Sequence, residues 1–107
     1  MIIVNSSVKR TFLVIRLLIL ACLSTGRKTI NQISTETKIN WRTVELHLNH
    51  LVGRRYAREV FSSEFVRIFE ITENGIDYVK LESARLNVNF ENENGSKTKD
   101  VRFNIYQ

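Results

Sequence analysis

The feature that most constrains the fold of this chain is a nearly unbroken apolar run at residues 12–23, FLVIRLLILACL. Its apolar residues recur at helical spacing, but they also cover the other sides of the helix that they would form. A helix that is apolar nearly all round cannot lie on the surface of a small monomeric domain. The run therefore predicts a first helix over residues 7–24, capped by Ser6 or Ser7, in the centre of the fold.

The same run bears on the oligomeric state. With 107 residues, 43% of them apolar, the chain has the size and composition of one compact domain. A domain of this size rarely has enough surface to cover four sides of one helix. We therefore expect a homodimer in which one face of the apolar N-terminal helix packs against the partner subunit.

A secretion signal is the alternative interpretation of this segment. Lys9 and Arg10 precede the run, and ILAC at residues 19–22 is similar to a lipoprotein cleavage box. Arg16, however, interrupts the run, which is shorter than the ~20 residues that cross a bilayer. The single cysteine, Cys22, excludes an intramolecular disulfide and is compatible with a reducing compartment. We expect a cytoplasmic protein without a membrane partner.

The rest of the chain alternates between helix and strand signals. Three further helices and two strands are predicted, with a short extended piece before the first of them: helices 30–37, 41–52 and 73–85, capped by Thr29, Asn40 and Thr72, and strands 56–61 and 65–71. This order is that of a winged helix-turn-helix domain, an α+β fold with a three-helix core, a β-hairpin wing and a C-terminal helix. We assign residues 1–85 to this domain. Residues 86–107 form a C-terminal extension, for which a second hairpin and a flexible tail both remain open.

The third predicted helix, residues 41–52, has two distinct faces. Successive residues of a helix are rotated by ~100° about its axis. This rotation places four residues on the predicted core side: Trp41, Val44, Leu48 and Leu51. The opposite side is predicted to hold five: Arg42, Thr43, Leu46, Asn49 and His50. His47 lies on the flank between them. Arginine, asparagine and methyl-bearing side chains suit the base edges of a major groove, although a solvated helix face has a similar composition.

The charge distribution favours double-stranded DNA as the partner. The formal net charge is +5, and residues 27–67 alone carry eight basic and four acidic side chains. Several polar and basic residues flank the third helix or lie on the predicted hairpin, and we expect them at the DNA backbone: Thr29, Lys38, Asn40, Arg54, Arg55, Arg58 and Arg67. A solubilising strand face is the alternative for the arginines.

Metal binding and catalysis are not expected. His47 and His50 have a spacing that could share a metal ion, but zinc needs three or four ligands. The remaining soft ligand, Cys22, lies in the apolar run. The sequence also lacks a glycine-rich phosphate loop and a Gly-x-Ser-x-Gly motif. We therefore predict no cofactor, no metal and no enzymatic activity.

Two segments resemble a known family. TINQISTETKINWRTVELHLNHLVGRRYAREV and FVRIFEITENGIDYV are similar to the small winged-helix transcriptional regulators of archaea and archaeal viruses, and more distantly to MarR- and ArsR-type repressors. TVELHLNHL follows the Thr-apolar-x-x-x-Leu-x-x-Leu pattern of the recognition helix, and ITENGIDYV resembles the start of the last helix. The resemblance covers residues 10–82. It implies a homodimer on pseudo-palindromic DNA, with the third helix in the major groove and the hairpin as the wing.

The chain departs from this family at two places. The family usually has glycine one residue before the apolar start of the wing strand, where this chain has Arg55, and Gly53 stands two residues earlier. Beyond residue 83 the asparagine-rich NVNFENENG argues against the long dimerising helix of many members, which leaves the first helix as the expected dimer element. A winged helix that binds proteins and not DNA is the alternative function.

Overall fold

A computed structural model of the protein describes residues 11–86 and, as backbone alone, residues 89–92 and 101–104. Its elements, in chain order, are α1 (Phe12–Leu23), β1 (Lys28–Thr29), α2 (Ile30–Thr37), α3 (Trp41–Gly53), β2 (Ala57–Ser62), β3 (Arg67–Ile71), α4 (Glu73–Arg85), β4 (Asn89–Asn92) and β5 (Val101–Asn104). The predicted α+β class and the predicted order of the first seven elements are confirmed.

The strands form two separate antiparallel sheets. β3 lies in the middle of a three-stranded sheet of order β1-β3-β2, whose β2–β3 pairing is irregular between Glu59 and Phe61. β4 and β5 pair with each other, so the C-terminal extension contributes two strands to the described part of the chain. The turn predicted at Asn94-Gly95 lies outside the described residues.

α1 begins later than predicted. Thr11 has an extended backbone, and its Oγ1 accepts a hydrogen bond from the backbone N–H of Val14 at 3.2 Å. This bond satisfies a free N–H group of the first turn, which makes Thr11 the N-cap and Phe12 the first helical residue. The predicted start at residue 7 is therefore wrong. Ser6 and Ser7 lie outside the described residues.

α1 occupies the centre of the fold, as predicted. Seven consecutive residues, 17–23, are buried within the single chain. The elements that lie against this helix are α2, α3, α4, β3 and β5. Because one chain already covers every side of residues 17–23, this part of α1 has no surface left for a partner subunit, whereas residues 12–16 are exposed or half-buried. The homodimer stays a prediction. Among helices in the described part of the chain, none combines the length and apolar character needed to cross a membrane.

The other three helices begin at their predicted residues. Thr29 and Gln32 form a reciprocal capping box at the start of α2. The Asn40 side chain accepts from the backbone N–H of Arg42 at 2.8 Å, and the Thr72 hydroxyl accepts from that of Gly75 at 3.0 Å. These bonds span two or three residues, which explains why the sequence pattern alone predicts them.

α4 presents a different face to the core than the one predicted. Helical periodicity predicts Ile76, Val79 or Lys80, and Leu81 as the inward residues of this helix. Val79 is buried, but Ile76 and Leu81 are exposed, and Gly75 and Ser83 are buried in their place. The reason lies at Gly75, where an added Cβ would overlap the carbonyl oxygen of Tyr56. This close approach of two backbones fixes the rotation of α4 and places every fourth residue from Gly75 against the core.

Candidate nucleic-acid interface

α3 is anchored by one face and presents the other to solvent. Val44, Leu48 and Leu51 are buried, as predicted, while Trp41 is 49% exposed although it was assigned to the core. On the outward side, Arg42, Leu46, Asn49 and His50 are exposed and Thr43 is half-buried. Leu46 is 65% exposed. The predicted polar face with one accessible leucine is therefore present.

A side-chain hydrogen bond and a buried residue hold the turn before α3. Lys38 ends α2 in the left-handed conformation, with φ 61°. The Ser34 hydroxyl donates to the carbonyl oxygen of Ile39 at 2.6 Å, and Ile39 itself is buried. α2 and α3 are consequently held in one orientation relative to each other, which is what a helix needs if its outward face is to meet a partner in a defined register.

His47 does not belong to the exposed face. Its side chain is only 2% exposed, and its Nδ1 accepts a hydrogen bond from Nε of Arg16 at 3.1 Å. The Phe12 ring meets the His47 ring edge-on, with centroids 5.1 Å apart. The flank position of His47 predicts either a DNA contact or packing, and the structure favours packing, because the side chain lies between α1 and α3. Burial, then the charges of Arg16 and His50, lowers the pKa of His47.

Cations without salt bridges lie at both ends of α3. Lys38 and Arg42 are exposed at its N-terminal end, and Arg54 and Arg55 are exposed at its C-terminal end. Within the described part of the chain, none of the four forms a salt bridge. Arg42 and Arg54 lie over aromatic rings, 5.7 Å from the centroid of Trp41 and 5.9 Å from that of Tyr56.

Arg55 has a backbone conformation that is unusual for a residue with a side chain. Its φ is 67°, a left-handed conformation that favours glycine. Thr72 Oγ1 donates to the Arg55 carbonyl oxygen at 2.7 Å, and this bond fixes the backbone of the residue. The chain thus makes the turn out of α3 with an arginine where glycine is usual, and that arginine adds a cation next to the helix.

The hairpin arginines are neutralised by carboxylates of the same chain. Arg58 donates to Glu70 through Nε at 2.9 Å and through Nη2 at 2.6 Å, and Arg27 donates to the other oxygen at 3.0 Å. The bonds from Arg58 and Arg27 lower the pKa of Glu70. Sequence reasoning missed this pairing, although Arg58 and Glu70 are direct partners across the β2–β3 ladder.

Arg67 forms a second network, which joins the hairpin to α3. Its Nε donates to Glu59 Oε2 at 2.8 Å, and its Nη1 donates to Glu45 Oε2 at 3.2 Å. Its Nη2 donates to the side-chain oxygen of Asn49 at 3.2 Å. Arg67 lowers the pKa of Glu59 chiefly through its hydrogen bond. Two predicted DNA contacts, Arg67 and Asn49, therefore bond to each other.

An exposed apolar patch at the hairpin tip was not predicted. Phe65 is 87% exposed, and Phe61, Val66 and Trp41 are also exposed. The tip is well ordered by local bonds, since the Ser63 hydroxyl accepts from the backbone N–H groups of Phe65 and Val66 at 3.2 and 3.1 Å. Trp41, Phe65 and Val66 are among the residues that line a groove of about 350 Å³, together with polar residues of α3 and of the hairpin.

The predicted separation of the two histidines is present in the fold. His47 is buried and His50 is exposed. In the segments that the structure describes, no three histidine, cysteine or acidic side chains come together in a way that could hold a metal. Cys22 donates to Glu36 at 3.3 Å, and burial with this bond raises its pKa to about 12.

The sequence was compared with protein-family models and with curated proteins. No family model matches the sequence, and no curated protein is significantly similar to it.

Proposed function

We propose that this protein is a winged helix-turn-helix transcriptional regulator that binds double-stranded DNA sequence-specifically. In this proposal α2 and α3 form the helix-turn-helix, α3 enters the major groove, and the β2–β3 hairpin is the wing beside the phosphate backbone and minor groove. The observation that carries the proposal is the exposed face of α3, which has at both of its ends cations that form no salt bridge with any described residue.

The exposed residues divide into two roles. Lys38, Arg54 and Arg55 supply positive charge where phosphates flank a helix that lies in the major groove, and they set the overall affinity. Arg42, Leu46 and His50 lie between these ends and face outward, where they meet base edges or thymine methyl groups. Thr43 supports them from a half-buried position. Arg58 contributes less than the sequence suggested, because Glu70 already neutralises it.

The capping residues have a structural part in the proposed interface. Asn40 and Thr29 fix the first turns of α3 and α2 through their side-chain bonds. Removing either bond would lower the stability of the helix by about 1 kcal/mol. Their effect on DNA affinity is thus expected to follow from the position of the helix and not from a direct contact alone.

The salt dependence of duplex affinity tests the proposal. Neutralised phosphates release counterions, so log affinity should fall linearly with log salt concentration. Arg54→Ala should reduce the slope of log affinity against log salt concentration by about one unit. Arg85→Ala is the matched control and should leave the slope unchanged. Arg85 is paired with Glu82 on α4. Absence of duplex binding at every salt concentration would refute the proposal.

A protein-binding winged helix is the second candidate, because one observation favours it. Trp41, Phe65 and Val66 are exposed apolar side chains at one groove, and a DNA backbone does not need such a surface. This candidate predicts no salt-dependent duplex binding. It also predicts that Phe65→Ser abolishes capture of the protein partner. If the protein binds DNA, the same substitution should leave the salt dependence of duplex affinity unchanged.

A homodimer remains part of the proposal, with an interface other than residues 17–23 of α1. Two subunits would let two α3 helices occupy successive turns of a pseudo-palindromic site. Sedimentation equilibrium, with and without duplex, measures the subunit number directly. A monomer under both conditions would remove the dimer from the proposal and leave single-site DNA binding intact. The DNA partner would place the protein in the cytoplasm.

A further inference from the structure

The bond between Arg67 and Asn49 restricts what Asn49 can offer to a partner. An arginine side chain has only donors, so the Asn49 atom that faces Nη2 at 3.2 Å must be the oxygen. The amide nitrogen, with its two hydrogens, is then the group left to face outward. Asn49 is exposed on the same side of α3 as Leu46, where the proposed DNA contact lies.

Arg67 is itself held, so this orientation is not a chance rotamer. Its guanidinium bonds to Glu59 on β2 and to Glu45, which precedes Asn49 by one helical turn on α3. The guanidinium carbon also lies 5.1 Å from the centre of the buried Phe69 ring. Three anchors on three elements fix the direction of the donor that Asn49 accepts.

This orientation changes the base that Asn49 suits. A free asparagine pairs with adenine by accepting from N6 and donating to N7, which uses both ends of its amide. Here the oxygen already accepts a charge-assisted bond, and the nearby guanidinium repels the positively polarised hydrogens of an adenine amine. The free N–H donors match the acceptors of the major groove, which are O6 and N7 of guanine, O4 of thymine and N7 of adenine. Of these three bases, only adenine presents an amine at this edge, and the guanidinium disfavours that amine.

We propose that Asn49 is a specificity-determining residue that selects guanine or thymine over adenine, and that Arg67 is the positioning residue that sets this preference. The inference rests on the proposed function, because it requires that α3 meets base edges. Arg67 acts without contacting the DNA: it engages one lone pair of the Asn49 oxygen and holds a positive charge beside it, which disfavours the N6 amine of adenine.

Selection from a pool of randomised duplexes tests the inference. The wild-type protein should enrich guanine or thymine at one position, and Asn49→Ala should lose the preference there alone, by roughly five- to a hundredfold. Arg67→Met frees the amide, so the same position should then accept adenine. Arg58→Met is the matched control, since it removes an arginine that is paired with Glu70 and has no side-chain bond to α3. That control should retain the wild-type preference.

A second measurement does not depend on whether Arg67→Met folds. In the selected duplex, the preferred guanine is replaced by 7-deazaguanine, or the preferred thymine by 5-methylpyrimidin-2-one, which lacks O4. The wild-type protein should lose affinity for the altered duplex and Asn49→Ala should not. Equal losses in both proteins, or adenine at the Asn49-dependent position of the wild type, would overturn the inference. Failure to enrich any duplex would instead refute the proposed function, and this inference with it.

Discussion

Arg16 of α1 and His47 of α3 are joined by a hydrogen bond of 3.1 Å, in which Nε of Arg16 donates to Nδ1 of His47. The Arg16 guanidinium lies 5.6 Å from the centre of the Phe12 ring, which in turn meets the His47 ring edge-on. The bond requires an unprotonated Nδ1, because an arginine can only donate. The protonation state of His47 therefore bears on how α3 is held against α1.

The free energy of unfolding should decrease below pH 6.5. Burial lowers the pKa of His47 from its ordinary value of 6.5, so the unfolded chain binds a proton that the folded chain resists. The contribution of His47 is complete above pH 6.5 and is lost as the pH falls from there toward the lowered value. Urea denaturation at pH 7.5 and pH 5.5 measures this difference.

His47→Gln supplies the control for that measurement. Glutamine can accept the Arg16 bond without titrating, so the variant should show a smaller loss of stability between the two pH values. His50 is exposed, although burial and neighbouring arginines lower its pKa as well. If His50→Gln reduces the pH dependence more than His47→Gln does, the assignment to the buried pair is wrong.

Gly75→Ala should destabilise the fold by at least ~2 kcal/mol through overpacking. The added Cβ would overlap the Tyr56 carbonyl oxygen and lie 2.8 Å from Cγ1 of Ile71. Gly53→Ala is the matched control, because an added Cβ there meets nothing within 4 Å. Inside α3 it should stabilise the protein by ~0.5 kcal/mol. Similar melting temperatures for the two variants would contradict the packing described at Gly75.

Cys22 should resist thiol reagents until the protein unfolds. Its pKa is raised from 9.0 to about 12, which reduces the native thiolate fraction by ~1000-fold, and the thiolate is the reactive form. Labelling with a disulfide reagent at pH 8 should therefore be slow in buffer and fast in denaturing urea. Rapid native labelling would show that the thiol lies at an accessible surface.

Arg42→Ala should weaken binding to the selected duplex by ~1–3 kcal/mol and relax the preference at one base position. The structural basis is an exposed guanidinium at the first turn of α3, 5.7 Å from the Trp41 ring. Titrations against a selected and a random duplex separate the two possible roles. Equal losses on both duplexes would identify Arg42 as a phosphate contact.

The features predicted correctly are those that short segments determine. Thr29, Asn40 and Thr72 start their helices because each side chain bonds a backbone N–H two or three residues away. Val44 and Leu48 were assigned to the core side of α3, since a helical period relates neighbours along one face. The apolar run that is now α1 predicted its own burial, because no polar side was available to face water.

The features that were missed depend on residues far apart in the chain. Arg67 and Glu45 are 22 residues apart, and Arg16 and His47 are 31 apart. No local pattern indicates that a hairpin arginine will be neutralised by a carboxylate on α3. The burial of His47 likewise depends on where α1 crosses α3.

The same distinction applies to the dimer prediction and to α4. The sequence determines that α1 must be covered on all sides, but only the tertiary structure shows that its own chain covers residues 17–23. In α4, periodicity alone favoured Ile76 and Leu81, whereas contact between Gly75 and the backbone of Tyr56 decides which side faces inward. Local hydrogen bonds and side-chain periodicity are properties of consecutive residues. Coverage, charge pairing and helix rotation are set by elements that meet only when the chain is folded.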